Sequence, residues 1–284
     1  MRHFTSADGL RLAYRDDPGG RGAPLLCLAG LTRSGRDFDH FAAAMNGRRR
    51  LIRLDCRGRG GSDHDPDFTR YNPMAEAGDA ISLLDHLGVE SAVVVGSSRG
   101  GLLAAVIAAT RPERLAGVVL NDVGPVLDPE GIGKIMGYLG VAPRAKTMAE
   151  AAEGLKAIHA ESFRNVDADF WADWAERSYV ETEGGLALAY DPKLRDATLA
   201  QAAAAAEHEG GADLWPLFAA LDLIPTLALR GENSNLLSAA TLAEMATRKR
   251  DLVTATIPDR GHIPRLDEPA ALAAINAFLD RLDD

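Results

Sequence analysis

The sequence has few cysteines and a deficit of basic charge. Only Cys27 and Cys56 occur among 284 residues. Both lie in or at the end of apolar runs, which favours buried thiols over a disulfide or a metal-binding pair. The chain has 31 Lys and Arg against 41 Asp and Glu, a net charge of -10 at pH 7. It therefore lacks the basic field that would hold nucleic acid or an anionic membrane, and we expect neither as a partner.

The sequence also lacks long apolar runs and metal-binding motifs. The first residues contain no signal-peptide stretch, and no window approaches the roughly 18 apolar residues of a membrane span. We therefore expect a cytoplasmic protein, a monomer or a homodimer. No HExxH or CxxC spacing occurs, and Asp63-His64-Asp65 before Pro66 is typical of a polar turn. The sequence calls for no metal and no organic cofactor.

Short apolar runs alternate with longer segments of helical period along most of the chain. The apolar runs show little polar alternation, which is typical of parallel strands covered on both faces. Joined by crossover helices, they predict a three-layer α/β fold. Strands are predicted in a hairpin over 5–14 and at 24–30, 51–56, 92–97, 116–122, 224–231 and 252–258, and helices at 37–45, 74–88, 101–114, 237–249 and 268–282.

One long segment breaks the alternation. Residues 125–212 contain no convincing strand but many helix formers, and the Ala-rich run 202–207 precedes the helix breaker Gly210-Gly211. We predict a helical cap at 125–212, inserted into a core domain of residues 1–124 and 213–284. The cap is rich in large aromatic residues, which form its own core or roof an apolar cavity. Candidate pocket residues are Gly30, Tyr138, Trp171 and Trp174.

The strand at 92–97 leads into Gly96-Ser97-Ser98-Arg99-Gly100 and then directly into a helix. This GxSxG sequence predicts a tight turn that exposes Ser98 at the helix N-terminus as a nucleophile. A serine hydroxyl needs a base to take its proton. Of the seven histidines, His262 alone directly follows the last apolar strand, so it is the candidate base.

The negative charge that develops on an attacked carbonyl requires donors already in position. The backbone N–H of Arg99 follows the nucleophile and is one candidate. The loop after the strand at 24–30 passes through Ala29-Gly30, and the N–H of Leu31 is the second candidate. The Arg99 side chain itself is solvated, paired with a structural carboxylate or in contact with substrate; the sequence leaves these alternatives open.

These motifs together resemble the α/β-hydrolase superfamily, with a cap after the sixth strand. The resemblance implies a mostly parallel eight-stranded sheet. It also implies hydrolase activity, most often on carboxylic esters; lactonases, carbon-carbon bond hydrolases, peptidases and haloperoxidases are relatives. The resembling stretches are LAGLTRSGRDF (28–38), LDCRGRGGSD (54–63), GSSRGG (96–101), LNDVGP (120–125) and DRGHIPRLDEP (259–269).

The resemblance also implies a carboxylate that orients His262, and at the expected position, in RGENSN, stands Asn235. An amide neither fixes the histidine tautomer nor stabilises the imidazolium well. Three explanations are open. Asn235 replaces a natural aspartate; another carboxylate serves, either Asp122 after the sixth strand or Glu232; or Asn235 orients the histidine in a slow enzyme.

The sequence therefore predicts a serine hydrolase that cleaves small to medium, largely apolar esters through Ser98. A lactonase or carbon-carbon bond hydrolase would use the same residues, and a catalytically impaired ligand-binding form is a further alternative. A positive group in the cap that binds a substrate carboxylate would favour the hypothesis of a lactonase or carbon-carbon bond hydrolase. The available side chains are Arg144, Lys146, Lys156 and Arg164.

Overall fold

A computed structural model describes residues 1–206 and 213–283, and an eight-stranded sheet forms its centre. The strand order is β1-β2-β4-β3-β5-β6-β9-β10; β2 runs antiparallel to both of its neighbours, and the other adjacent pairs are parallel. The predicted fold class is thereby confirmed. The strands are β1 (Arg2–Thr5), β2 (Arg11–Asp17), β3 (Leu25–Leu28), β4 (Leu51–Leu54), β5 (Ala92–Ser97), β6 (Leu115–Asn121), β7 (Tyr179–Thr182), β8 (Gly185–Leu188), β9 (Thr226–Gly231) and β10 (Val253–Ile257).

Helices cover both faces of the sheet. One apolar core joins the sheet to α2, α3, α8 and α9, and a second joins the opposite face to α1 and α10. The helices are α1 (Asp39–Met45), α2 (Pro73–His86), α3 (Arg99–Thr110), α4 (Pro129–Tyr138), α5 (Met148–His159), α6 (Ala168–Ser178), α7 (Leu194–Ala206), α8 (Trp215–Ala219), α9 (Ala239–Arg248) and α10 (Pro269–Asp283).

The alternation of side chains along β3 explains how one apolar run serves both cores. Leu26 and Leu28 pack into the core under α2 and α3, and Leu25 and Cys27 pack into the core under α1 and α10. All four are fully buried. Because successive residues of a strand point to opposite faces, a strand covered on both sides is apolar throughout.

Helices α4 to α7 lie in the insertion between β6 and β9. The expectation of an insertion without strands was wrong, because β7 and β8 pair there as an antiparallel hairpin. The hairpin closes at Glu183-Gly184, and Gly185 has φ 117°, a conformation that glycine adopts without strain. The predicted end of the Ala-rich helix and the cap boundary at 212 fall on residues 207–212, which lie outside the described residues. The division into core and cap stays a prediction.

The topology brings the carboxyl ends of β5, β6, β9 and β10 to one edge of the sheet. In open α/β sheets, loops at this edge carry the functional residues. The residues that follow β5, β6 and β10 here include Ser98, Asp122 and His262. Within the described ranges, every helix is too short or too polar to cross a bilayer.

Candidate active site

The turn after β5 holds Ser98 in a strained backbone conformation, with φ 49° and ψ -115°. Two glycines make this turn possible. A β-carbon on Gly96 would lie 2.4 Å from the carbonyl oxygen of Gly100, and one on Gly100 would lie 1.9 Å from the carbonyl oxygen of Leu28. Any larger residue would therefore force the backbone apart. In this conformation, Ser98 presents its hydroxyl at the start of α3.

Three side chains from separate loops form a continuous hydrogen-bonded chain. The Nε2 atom of His262 lies 3.0 Å from Oγ of Ser98, and its Nδ1 atom lies 2.7 Å from Oδ2 of Asp122. The Asp122 side chain is fully buried, and the imidazole is 13% exposed. With Nδ1–H donated to the carboxylate, Nε2 is free to accept the serine proton.

Asp122 follows β6 in a left-handed conformation, with φ 58°. Its carboxylate accepts two further hydrogen bonds, one from the last residue of β9 and one from the turn that follows it. The backbone N–H of Gly231 donates to Oδ1 at 2.8 Å, and the hydroxyl of Ser234 donates to Oδ2 at 2.6 Å. Three donors thus compensate the burial of this charge and fix the direction of the carboxylate.

Of the carboxylates that the sequence leaves open as partners of His262, the structure places Asp122 beside the imidazole. In the described part of the chain, neither Asn235 nor Glu232 hydrogen-bonds to the imidazole, and Asp122 occupies the position beside Nδ1. The turn after β9 instead supplies donors to this relocated carboxylate. The Glu232 carboxylate accepts from the N–H of Asp259 at 3.0 Å. A missing aspartate at 235 is therefore not needed to complete the hydrogen-bonded chain.

The loop after β3 places backbone N–H groups next to Ser98. A β-carbon on Gly30 would lie 3.8 Å from Cβ of Ser98, so this loop passes close to the hydroxyl. A turn from Gly30 to Arg33 is closed by the N–H of Arg33, which donates to the Gly30 carbonyl at 3.0 Å. Among the described residues, the N–H of Leu31 has no hydrogen-bond acceptor, which leaves it available as an oxyanion donor.

The Arg99 side chain is paired with a structural carboxylate, one of the alternatives that the sequence leaves open. Its guanidinium donates to Glu76 at 2.8 and 3.0 Å and to the carbonyl of Tyr71 at 3.1 Å. Burial alone would lower the pKa of Arg99, but the charge of Glu76 and its hydrogen bonds together outweigh burial and raise the pKa. The backbone N–H of Arg99 opens α3 directly after Ser98.

The predicted pocket aromatics lie mainly in the interior of the insertion. Trp171 is 4% exposed and packs with Phe163 and Phe170, and half-buried Trp174 stacks on His159 with ring centroids 4.8 Å apart. This aromatic cluster borders the loop between β10 and α10 that carries His262, which we call the histidine loop. A β-carbon on Gly261 in this loop would lie 2.9 Å from the ring of Phe163.

Tyr138 and the polar turn at 63–65 lie in different surroundings. Tyr138, at the end of α4, is 48% exposed. The polar turn at 63–65 is integrated into the fold, because Arg57 donates to the buried carboxylate of Asp65 at 2.7 Å. Residues 1–206 and 213–283 contain no group of three or more metal-ligating side chains.

Two residues near the site were not identified from the sequence. Ser234 donates to Asp122, as described above. Asn121 donates from its amide to Oγ of Ser97 and to the carbonyl of Pro264, both at 2.9 Å, and so joins the nucleophile turn to the histidine loop. A polar residue at the buried end of a strand, directly before Asp122, was the available signal for Asn121.

The chain is similar to known hydrolases over most of its length. The model of the alpha/beta hydrolase family matches residues 25–275. A 3-hydroxybutyrate-oligomer hydrolase of Cupriavidus necator is 35% identical over 94% of this chain and 92% of that protein. A 2-(acetamidomethylene)succinate hydrolase of Mesorhizobium japonicum is 29% identical over 98% of this chain and 96% of that protein.

A solved structure extends the comparison to three dimensions. The crystal structure of an alpha/beta hydrolase from Novosphingobium aromaticivorans has a TM-score of 0.87 and 41% sequence identity. It covers 99% of this chain and 97% of that chain. The similarity therefore includes the insertion as well as the sheet.

Proposed function

Because this hydrolase belongs to the α/β-hydrolase family, we propose that it cleaves carboxylic esters through an acyl-enzyme on Ser98. One observation carries the proposal: the uninterrupted contact from Asp122 through His262 to Ser98, at 2.7 and 3.0 Å. This is the arrangement that activates a serine hydroxyl at neutral pH.

In the first half of the reaction, Oγ of Ser98 attacks the ester carbonyl carbon as Nε2 of His262 takes the hydroxyl proton. The carbonyl oxygen becomes an oxyanion and accepts hydrogen bonds from the N–H groups of Leu31 and Arg99. Collapse of the tetrahedral intermediate breaks the bond to the leaving alkoxide, which takes the proton from His262. Asp122 stabilises the imidazolium that forms between these steps.

In the second half, water attacks the acyl carbon and gives one proton to His262. A second tetrahedral intermediate forms at the same oxyanion donors. Its collapse breaks the bond to Oγ of Ser98, which recovers the proton from the imidazole, and the carboxylic acid leaves. The cycle consumes one water and requires no group beyond these residues.

We propose small to medium, largely apolar esters as substrates, with short oligoesters of hydroxy acids as the first natural class to examine. The relative from Cupriavidus necator, named a 3-hydroxybutyrate-oligomer hydrolase, supports the second class. We base the choice of an apolar acyl group on the aromatic cluster of Phe163, Phe170 and Trp171, which borders the loop that carries His262.

The alternatives have less support. Arg144, Lys146, Lys156 and Arg164 are all exposed, so none of them provides a buried cation for a substrate carboxylate. The hypotheses of a carbon-carbon hydrolase and of a lactonase thus lack the carboxylate-binding cation that would favour them. An impaired binding form is disfavoured as well, because a carboxylate contacts the imidazole.

The test is hydrolysis of p-nitrophenyl acetate, butyrate and a 3-hydroxybutyrate dimer. We expect turnover by the wild type and a loss of about a thousandfold or more in Ser98→Ala. The matched control is Ser82→Ala, which removes a helix-surface hydroxyl that donates to the carbonyl of Gly78 and should leave the rate unchanged. Equal rates in Ser98→Ala and wild type would overturn the proposal.

A further inference from the structure

The fully buried carboxylate of Glu76 accepts hydrogen bonds from two arginines, one of which follows Ser98 directly. Glu76, on α2, is 0% exposed. Arg59 donates to its Oε1 at 2.9 Å, and Arg99 donates to Oε2 at 2.8 Å and to Oε1 at 3.0 Å. Burial would raise the pKa of Glu76, but the two guanidinium groups outweigh burial and lower it. The carboxylate is therefore held ionised between them.

The same two arginines are connected to the two candidate oxyanion donors. Arg99 itself carries one donor N–H. Arg59 donates from Nε to the carbonyl of Leu31 at 2.8 Å, in the middle of the turn that runs from Gly30 to Arg33. This hydrogen bond to the Leu31 carbonyl limits how far the backbone of the Gly30–Arg33 turn can reorient. The direction in which the Leu31 N–H points depends on the orientation of that turn.

Arg59 is itself rigidly placed. Its Nη1 also donates to the carbonyl of Arg57 at 2.7 Å, so its donors connect Glu76 with two backbone carbonyls. Its backbone lies between Gly58 and Gly60, which hydrogen-bond to Asp191 and Ala189 of the insertion at 2.8 and 3.3 Å. The guanidinium is 1% exposed and cannot rotate into solvent.

We propose that Glu76 is a positioning residue that aligns both arms of the oxyanion hole, through Arg59 to Leu31 and through Arg99 to the start of α3. This proposal rests on the proposed function. A buried ion cluster contributes little net stability compared with apolar side chains of similar volume, because desolvation offsets the attraction. Its geometric role, a fixed distance between two donors, is what an apolar replacement could not reproduce.

Asp79 provides a matched control on the same helix, one turn further on. It is also buried and also pairs with an arginine of the same loop, because Arg57 donates to it at 2.6 and 2.7 Å. Arg57 keeps Asp8 and Asp65 as partners when Asp79 is changed. Neither Arg57 nor Asp79 hydrogen-bonds to the Gly30–Arg33 turn or to Arg99. Comparing Glu76→Gln with Asp79→Asn therefore separates oxyanion alignment from the loss of a buried charge.

The experiment measures kcat and KM for p-nitrophenyl butyrate and the inhibition constant of an alkyl trifluoromethyl ketone, whose hemiketal adduct carries an oxyanion. For Glu76→Gln we expect kcat to fall by about tenfold to a hundredfold, somewhat less than the loss of a whole oxyanion donor, while KM stays within about twofold. Ketone affinity should fall in parallel. Asp79→Asn should keep kcat and ketone affinity. Equal values in the two variants, or a change confined to KM, would overturn the proposal.

A second variant covers the case in which Glu76→Gln does not fold. Arg59→Lys keeps the positive charge beside Glu76, but an ammonium cannot reproduce the planar fork that reaches Glu76 and the Leu31 carbonyl together. We expect the same parallel loss of kcat and ketone affinity in a folded protein. A fully active Arg59→Lys would overturn the proposal.

Failure of the proposed function gives a different result. In that case the wild type itself neither hydrolyses esters nor reacts with a fluorophosphonate, whereas failure of the Glu76 proposal leaves an active wild type.

Discussion

The imidazole of His262 and the carboxylate of Asp122 are 140 residues apart in the chain, yet Nδ1 and Oδ2 lie 2.7 Å from each other. The carboxylate therefore comes from the end of β6, and the turn after β9 contributes only donors to it. The RGENSN sequence after β9 holds Asn235, and the acid follows β6 instead. This relationship changes which substitutions should affect activity.

Asp122→Asn should lower kcat by about four orders of magnitude, because the amide neither fixes the imidazole tautomer nor stabilises its charge. Asn235→Asp should change kcat by less than about twofold, since Asn235 has no hydrogen bond to the imidazole in the described structure. Steady-state kinetics with p-nitrophenyl butyrate, on both variants side by side, measures the two effects. A gain of activity in Asn235→Asp with an unaffected Asp122→Asn would mean that the acid belongs at 235.

Ser234→Ala should lower kcat by about threefold to tenfold, because the hydroxyl that donates to Asp122 at 2.6 Å is lost. Ser238→Ala is the matched control. Ser238 caps α9 by accepting from the N–H of Thr241 at 3.0 Å, so its loss should cost about 1 kcal/mol of stability without affecting kcat. Urea unfolding and kinetics on both variants separate the effects, and a kcat loss in Ser238→Ala equal to that of Ser234→Ala would contradict the assignment.

Gly100→Ala should prevent folding or lower the free energy of unfolding by more than about 4 kcal/mol, because its β-carbon would lie 1.9 Å from the carbonyl oxygen of Leu28. Gly133→Ala provides the opposite case. A β-carbon there meets nothing within 4 Å, and the helix α4 should gain about 0.5 to 1 kcal/mol. Thermal unfolding measures both; a stable, active Gly100→Ala would contradict the described turn.

The contribution of Asp79 to the free energy of unfolding should increase as the pH falls into the mildly acidic range. Burial raises the pKa of this carboxyl from 3.8 to about 6 and outweighs Arg57, which also serves Asp8 and Asp65. The folded state then binds a proton that the unfolded chain has lost, so this contribution is fully present below pH 3.8 and is lost as the pH rises through 6.

The measurement is urea unfolding of wild type and Asp79→Asn at several pH values from about 4 to 7. The stability of the wild type relative to Asp79→Asn should increase by about 1 to 3 kcal/mol as the pH falls across this range. A stability difference that stays constant with pH, or that shrinks on acidification, would contradict the raised pKa.

The sequence predicts the sheet well, because each buried strand is a short apolar run between turn signals. The prediction at 92–97 coincides with β5, and the neighbouring predictions differ by one or two residues at their ends. The hairpin β7–β8 was missed. Its strands are only four residues long and contain no buried residue, so they lack the apolar alternation that marks a strand.

Local motifs also identify the Ser98 turn, but the partner of His262 depends on distance through space. Asp122 and Asn235 follow adjacent strands, β6 and β9, whose ends lie side by side. Both positions are therefore within reach of a histidine on the next loop, and no pattern along the chain decides between them. The Glu76 cluster was not identified for the same reason: Arg59, Glu76 and Arg99 come from a loop and two helices that meet only in the folded protein.

The most direct test of the Ser98–His262–Asp122 assignment is fluorophosphonate labelling followed by peptide mapping with mass spectrometry. The assignment predicts one adduct, on Ser98 in the wild type, that forms at least about a hundredfold more slowly in Asp122→Asn and at an unchanged rate in Asn235→Asp. An adduct on another residue, or equal labelling rates in wild type and Asp122→Asn, would contradict it.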